Sequence, residues 1–450
     1  MKSLIRIIFI FTFVLSLSFT EAYASNPTVK QKKETLLDYA LSLQKEGLHD
    51  KALKVYHNIL SKGEPFLETK ASIYFQMGNI YKEKKEYNES ISFYKKSLSL
   101  YPENAFVCYN LGTVYSDIKE DKKALEFYRK SVAIKPDYAP PYYNMAILYT
   151  RHQQSNESLG LYKKFISLRP DFWMAHYNIG NLYLDQQQYS NAMKYYKQGL
   201  KISPNNENIL YKIGLVYEYT KFHDKAINIH AQILKINPKN YNAYYAIGVN
   251  HERKSEYKKA IKYYLKVLEL DSSNERGYIA LGNSYYALGE YSKAIAYYKQ
   301  GTEKNPKNST SYSQIAMAYY LKKDFENSVN YFIEALNINP NNSSAYINFF
   351  ELQLVRNKAL PPEIDKRYRE LFEEKKETFM QYEMLKTLQN IANSQEVDIK
   401  AWKEKYSTTS MGNWRFNELE EWIKGFSSRT IKTKLTKALK IFKNHKVKQK

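Results

Sequence analysis

The chain has 450 residues, 44% of them hydrophobic and 25% charged, with Tyr 44, Phe 21 and Trp 4, a composition that excludes disorder for most of its length. Only 15 Gly and 13 Pro are present, which excludes a collagen-like or low-complexity chain, argues against a turn-dense β-sandwich and leaves a mostly helical fold. One cysteine, Cys108, excludes an intramolecular disulfide and a multi-cysteine zinc site, while a net charge of +22 favours polyanions or anionic surfaces as partners.

In chain order, the first element is an address. Lys2 and Arg6 precede an apolar run from Ile7 to Leu17, and Ala22-Tyr23-Ala24 follows as a small-x-small cleavage signal, so residues 1–24 read as a secretory signal peptide. The run is shorter than the roughly 20 apolar residues a bilayer requires. The mature chain is therefore expected to be soluble and exported: periplasmic, cell-envelope associated or secreted. An uncleaved anchor is the competing reading, and no cysteine stands near the cleavage point to carry a lipid. Residues 25–32 read as a linker.

From there the chain repeats. Pro102, Pro136, Pro170, Pro204, Pro238, Pro306 and Pro340 are spaced by 34 residues or twice that, with Ser272 in the missing place. Small residues keep the same period at Gly78, Gly112, Ala146, Gly180, Gly214, Gly248, Gly282 and Ala316, and again twelve residues later at Ser90, Ala124, Ser158, Ala192, Ala226, Ala260, Ala294 and Ser328. Nine units follow: a looser one at 33–70, then 71–104, 105–138, 139–172, 173–206, 207–240, 241–274, 275–308 and 309–342. A glycine in one helix and a small residue twelve positions later let two antiparallel helices approach closely, and the proline ends the second helix. In unit 275–308 the first helix is expected from about Glu275 to Ala287, with a turn at Leu288 to Tyr291 and a second helix ending before Pro306. One such hairpin cannot bury its apolar face alone, so the units must stack into an all-α solenoid.

These residues resemble the tetratricopeptide repeat (TPR), whose recurring features are an aromatic at unit position 4, Leu-Gly at 7 and 8, Tyr at 11, Ala at 20, an aromatic at 24 and Pro at 32. Tyr142-Tyr143-Asn144-Met145-Ala146 and Tyr278-Ile279-Ala280-Leu281-Gly282-Asn283-Ser284-Tyr285 carry the resemblance. Cys108, His176 and Leu210 at position 4, His251 at 11 and His230 at 24 depart from it and read as core substitutions. The resemblance implies a right-handed superhelix of antiparallel helix pairs, with a concave face lined by first-helix positions 2, 5, 9, 12 and 13.

On that face, position 5 runs Phe75, Tyr109, Tyr143, Tyr177, Tyr211 and Tyr245, an aromatic ladder. Asn110, Asn144 and Asn178 stand at position 6, and Asn79, Asn181 and Asn283 at position 9. One reading is a ligand groove, in which tyrosines supply apolar contact and asparagine amides bond a peptide backbone or a sugar hydroxyl. The other is that these residues pack and solvate the helices. TPR proteins that clamp acidic chaperone tails use Lys at position 5, and no full unit here has one. Arg276 at position 2 and Lys212 at position 6 are isolated.

After Pro340 the period is read as ending. Residues 343–360 are expected to form a capping helix, with Ser344 to Asn357 covering the last unit, and 361–450 a small helical appendage. Helical patterns run from Glu363 to Asn393 and from Asn417 to Phe426, and Trp402, Trp414 and Trp422 suggest packing. Residues 424–450 hold ten basic and no acidic side chains. Ile431, Leu435, Leu439 and Phe442 make Thr430 to Asn444 a basic amphipathic helix with Lys432, Lys434, Lys437, Lys440, Lys443 and Lys446 on it. It reads either as an attachment to anionic lipid or another polyanion, or as a closing helix with solvated lysines.

Nothing points to catalysis. No two histidines stand four apart, no nucleophile elbow, phosphate loop or dinucleotide fingerprint occurs, and Cys108 sits at a core position. The expectation is a non-enzyme without cofactor or metal: an exported scaffold holding an extended peptide or protein segment. A polysaccharide-binding or envelope-attachment protein is the alternative, and nucleic acid is the least expected partner.

Overall fold

The computed structural model describes residues 27–62, 66–373, 376–399, 401, 405 and 417–443, and among them every regular element is an α-helix. The signal peptide, Trp402, Trp414 and Lys446 lie outside the described residues. The chain divides into two compact bodies, residues 1–204 and 205–450. In the first, the helices pair as Pro27–Lys45 with His49–Ser61, Leu67–Glu83 with Tyr87–Leu100, Ala105–Asp117 with Asp121–Ile134, Pro140–Arg151 with Ser155–Leu168, and Trp173–Asp185 with Tyr189–Ile202. In the second, Glu207–Tyr219 pairs with His223–Ile236, Tyr241–Arg253 with Tyr257–Leu270, Glu275–Ala287 with Tyr291–Lys304, and Ser309–Leu321 with Phe325–Ile338. Ser343–Val355, Pro362–Phe372, Lys376–Ala392, Asn417–Lys424 and Arg429–Lys443 complete it.

Three expectations need correction. The stretch read as a linker is helical from Pro27 onward. The four extra residues of the first unit form an added turn at the front of the next helix, which starts at Leu67. The period also survives Pro340 for half a unit, since Asn342 caps Ser343–Val355 and Asn357 closes it in the same phases as in earlier units.

Those phases have local causes. Asn104, Asn206, Asn240, Asn274, Asn308 and Asn342 precede first helices and accept from the backbone N–H groups two or three residues on, satisfying donors that the helix leaves open. At the turn between paired helices, Lys85, Lys119, Gln153, Gln187, Lys221, Ser255, Lys323 and Asn357 all take φ between 56° and 66°, where Gly47 and Gly289 stand in two other units. A side chain in this left-handed region crowds its own carbonyl. Gln153→Gly and Gln187→Gly are each expected to raise stability by about 0.5–1 kcal/mol, read as a higher urea midpoint at unchanged slope.

The core is a row of rings. Tyr56, Tyr94, Tyr128, Tyr162, Tyr196, Tyr264 and Tyr298 stand in the position-24 phase and are at most 2% exposed. A Cβ added to Gly78, Gly180, Gly248 or Gly282 would lie 2.4–2.5 Å from the ring of its unit. The small residue at position 8 thus makes room for the ring at 24, rather than chiefly for the residue at 20 as spacing suggested. Where position 20 is serine, Ser90, Ser158 and Ser328 donate to the carbonyls of Gly78, Ala146 and Ala316 at 2.8–2.9 Å, joining the paired helices.

What stops the array is Phe350. It occupies position 8 of the continued phase and is fully buried, its ring 5.4 Å from that of Tyr382. A phenyl group leaves no room for a position-24 ring, and Lys366 stands where that ring would be. Pro362–Phe372 packs instead through Tyr368 and Phe372, 5.2 and 6.0 Å from Tyr346. One apolar core runs from Phe332 and Leu336 through Phe350, Leu385 and Trp422 to Leu439 and Phe442, so the appendage shares its interior with the last unit.

Candidate partner-binding face

The position-5 side chains are all half-buried, but they are not equally available. In the first body, Tyr109 lies edge-on to Tyr138 at 5.4 Å, and its hydroxyl accepts from Asn144 Nδ2 at 3.3 Å. Tyr143 touches Tyr162, Phe165 and Phe172 at 5.1–5.5 Å, and its hydroxyl accepts from Asn178 at 3.2 Å. Burial raises both phenols and pushes Tyr143 up to about 12, although the Asn178 hydrogen bond opposes this. Phe75 lies 6.0 Å from Tyr94, and Tyr177 lies 6.0 Å from Tyr196 and edge-on to Trp173 at 6.2 Å, while the Tyr177 hydroxyl has no hydrogen-bond partner among the described residues.

In the second body, the Arg276 guanidinium sits 4.5 Å over the Tyr245 ring and covers one face of it. Tyr211 packs against His230 at 5.5 Å.

The asparagines are structural. Asn79, Asn181 and Asn283 accept the hydroxyls of Tyr94, Tyr196 and Tyr298 at 2.7–2.8 Å. Asn110 donates to Asn79 at 3.3 Å and accepts from Lys82. Asn144 and Asn178 each bridge two tyrosines of the preceding unit, Tyr109 with Tyr128 and Tyr143 with Tyr162. A buried phenol needs a partner for its hydroxyl, and positions 6 and 9 supply it. All six asparagine side chains make hydrogen bonds within the array.

A polar cluster in the second body escaped the sequence reading. Glu218 Oε1 accepts from Asn250 Nδ2 at 3.0 Å and lies 3.0 Å from Nε2 of the fully buried His230, while Oε2 lies 3.4 Å from Arg253. Desolvation alone would raise Glu218, but hydrogen bonds from His230 and Asn250, aided by the charges of His230 and Arg253, hold it below the usual glutamate value. Glu252 accepts from Tyr264 at 2.7 Å and is raised, because burial outweighs that bond. These acids stand at position 12 and Arg253 at 13. Reading those two positions for charge, as positions 5, 6 and 9 were read for rings and amides, would have found them. Cys108, His176, Leu210, His230 and His251 are all buried, as core substitutions should be.

In Arg429–Lys443, Leu435, Ala438, Leu439 and Phe442 are buried against the appendage. The apolar stripe is therefore used internally and cannot enter a lipid surface. Lys443 pairs with Glu420, and Lys432 donates to the Lys424 carbonyl. Lys434, Lys437 and Lys440 are exposed, with no acidic partner among the described residues. The described residues contain no cluster of three or more possible metal ligands, and no helix among them is long and apolar enough to cross a membrane.

Stacked helical hairpins in one phase, each with a small residue at position 8 facing one core ring, define a helical-repeat solenoid of the protein-interaction scaffold class. Tetratricopeptide-repeat families match residues 69–137, 276–308 and 309–342, and a further TPR-repeat family matches 180–219 and 253–289. The chain belongs to the tetratricopeptide-repeat superfamily. Similar solved structures include MamA, 26% identical over 38% of this chain and 94% of that one, at a TM-score of 0.35. The C-terminal part of a TPR repeat-containing protein from Cytophaga hutchinsonii is 15% identical over 54% of this chain and 99% of that one, at 0.48. A tetratricopeptide repeat protein from Parabacteroides merdae is 16% identical over 56% and 99%, at 0.41. No curated protein sequence matches.

Proposed function

We propose that this protein is an exported scaffold that holds an extended segment of a partner protein along the first-helix face of its repeats, in the concave groove characteristic of its superfamily. The observation that carries the reading is the state of the position-5 rings: half-exposed, yet held in place by neighbouring rings and, at Tyr109 and Tyr143, by asparagines of the next unit. A partner meeting rings that are already ordered avoids about 0.5–1.5 kcal/mol of ordering cost per side chain. Export rests on the sequence of residues 1–24.

Tyr177 is the residue to change, because its hydroxyl tethers nothing and its loss leaves the asparagine bridges in place. Tyr177→Ala is expected to weaken capture of the partner from envelope and secreted fractions by about 10–100-fold, the effect of removing one aromatic anchor, with unchanged helical circular dichroism. Undiminished capture would overturn the reading. Envelope or polysaccharide attachment is the second reading, favoured by Lys434, Lys437 and Lys440, which are exposed and have no acidic partner among the described residues. In that case Lys434→Glu/Lys437→Glu/Lys440→Glu, rather than Tyr177→Ala, releases the protein, and so does high salt.

A further inference from the structure

The array serves as its own reference for one missing part. In six units the ring at position 11 lies stacked on a ring at position 23: Tyr81 on Phe93, Tyr115 on Phe127, Tyr183 on Tyr195, His251 on Tyr263, Tyr285 on Tyr297 and Tyr319 on Tyr331. Centroids are 5.3–5.6 Å apart and the planes lie within 22°. Unit 139–172 keeps the first ring, Tyr149, but has Leu161 in place of the second. Beside Leu161, Gly160 stands in mid-helix, and a Cβ there would meet nothing within 4 Å. A glycine in this setting is about 1 kcal/mol less favourable than alanine, and here it keeps open a volume that the other units fill.

The result is an open hollow of about 470 Å³ lined by Tyr142, Met145, Tyr149, Gly160 and Leu161, with Arg129 and Glu157 also lining it. Arg129 Nη2 donates to the Tyr149 hydroxyl at 2.5 Å and so fixes the half-buried ring. Lys123, Lys225 and Lys293 lie 5.2–5.7 Å over the position-11 rings of their own units. Glu157 takes that lysine's place here, so no cation covers Tyr149 among the described residues. Unit 207–240 also lacks the second ring, with Ile229 at position 23, but Lys225 covers its Tyr217 and Asn228 fills the place of Gly160.

We propose that this hollow is a docking site for one aromatic side chain of a partner polypeptide, a tyrosine or phenylalanine that stacks on Tyr149 where a position-23 ring stacks in the six other units. The chemistry is that of the array itself: a planar ring gains apolar contact with Tyr142, Met145 and Leu161 and an offset stack on Tyr149. The Glu157 carboxylate has no salt-bridge or hydrogen-bond partner among the described residues and offers an acceptor to a phenol hydroxyl at the rim. The site does not involve the position-5 rings and stands or falls independently of the groove.

The test uses the full chain with methionine methyl groups labelled with carbon-13, titrated with p-cresol as the probe and with cyclohexanol as a non-planar control of similar size. Met145 reports the hollow, its resonance assigned by loss in Met145→Leu. The expected result is a saturable shift of the Met145 methyl with p-cresol and none with cyclohexanol. Leu161→Tyr supplies the missing ring in cis and should weaken that response at least tenfold while the protein melts no lower than the parent. Gly160→Gln, which fills the hollow from the neighbouring position, serves the same purpose should the tyrosine variant fold poorly. An unmoved Met145 methyl, an equal response to cyclohexanol, or an undiminished response in a folded filling variant overturns the proposal.

Discussion

Raising the pH from 9 to 11 is expected to unfold the first body before the second. Tyr56, Tyr94, Tyr128, Tyr162 and Tyr196 lie in residues 1–204, and Tyr264 and Tyr298 in residues 205–450, all seven with phenols raised far above the usual value near 10, foremost by desolvation. A phenol is neutral while it holds its proton. Folding therefore keeps these protons on, and unfolding releases them once the pH passes 10. Their contribution is fully present below pH 10 and is lost as pH rises toward the folded values. Tyr138 and Tyr143 in the first body and Tyr382 in the second are raised in the same way, and at pH 11 each residue costs about 1.4 kcal/mol, so the seven rings of the first body remove roughly 10 kcal/mol and the three of the second roughly 4 kcal/mol. Total stabilities of about 5–15 kcal/mol make the larger loss decisive. Urea titrations at pH 9 and 11, followed by circular dichroism and tyrosinate absorbance, check the result. Near-complete tyrosine ionisation at pH 10.5 with helicity intact would contradict it.

The second large effect concerns glycine at position 8. Gly180→Ala should destabilise by about 1–3 kcal/mol, because its Cβ would stand 2.5 Å from Tyr196 Cε1 and the ring cannot retreat while its hydroxyl is held by Asn181 at 2.8 Å. The array contains the control. In five units a position-24 ring bound to its own first helix faces a glycine at position 8: Tyr94, Tyr196, His230, Tyr264 and Tyr298 opposite Gly78, Gly180, Gly214, Gly248 and Gly282. Tyr162, bonded by Asn178 of the next unit, and Phe332, which has no hydroxyl, face Ala146 and Ala316, whereas Tyr128, also bonded from the next unit by Asn144, faces Gly112, and Tyr56, bonded to Gln44 of its own first helix, faces Ala40, so the pattern holds in seven of the nine units. Tyr196→Phe in the Gly180→Ala background reproduces the Ala316 and Phe332 pair, and should recover about half of the loss or more. The double-mutant cycle measures this as coupling, and strictly additive costs would refute the tether.

These two effects show how far the chain could be read in advance. The repeat was visible because proline and glycine are scarce and fall in phase, so Pro136 and Gly112 announce a helix end and a close approach without any coordinates. The roles of Asn144 and Asn178 were not visible. A position-6 amide on a first helix can face a ligand or the previous hairpin, and only the stacking distance between units decides which. Glu218 was missed for a related reason: its partner His230 is twelve residues away on the other helix of the hairpin, and neither residue carries a motif by itself. In the tail, periodicity alone revealed an apolar stripe at Leu435, Leu439 and Phe442, but whether it faced lipid or protein depended on what lay beside it.

The local chemistry of this protein was decided by its sequence. Asparagine caps start six of the first helices, proline follows the end of most second helices, and a small residue at position 8 admits a ring at 24. These are interactions within one hairpin, where chain spacing sets distance. The tertiary structure decided which identical-looking residues are occupied. It ties Tyr143 down while the Tyr177 hydroxyl has no hydrogen-bond partner among the described residues, halts the array at Phe350, buries one face of Arg429–Lys443 and leaves Tyr149 without the ring that six of its counterparts carry. Each of these depends on atoms contributed by a neighbouring unit or appendage helix, at a separation in space that a one-dimensional period does not encode.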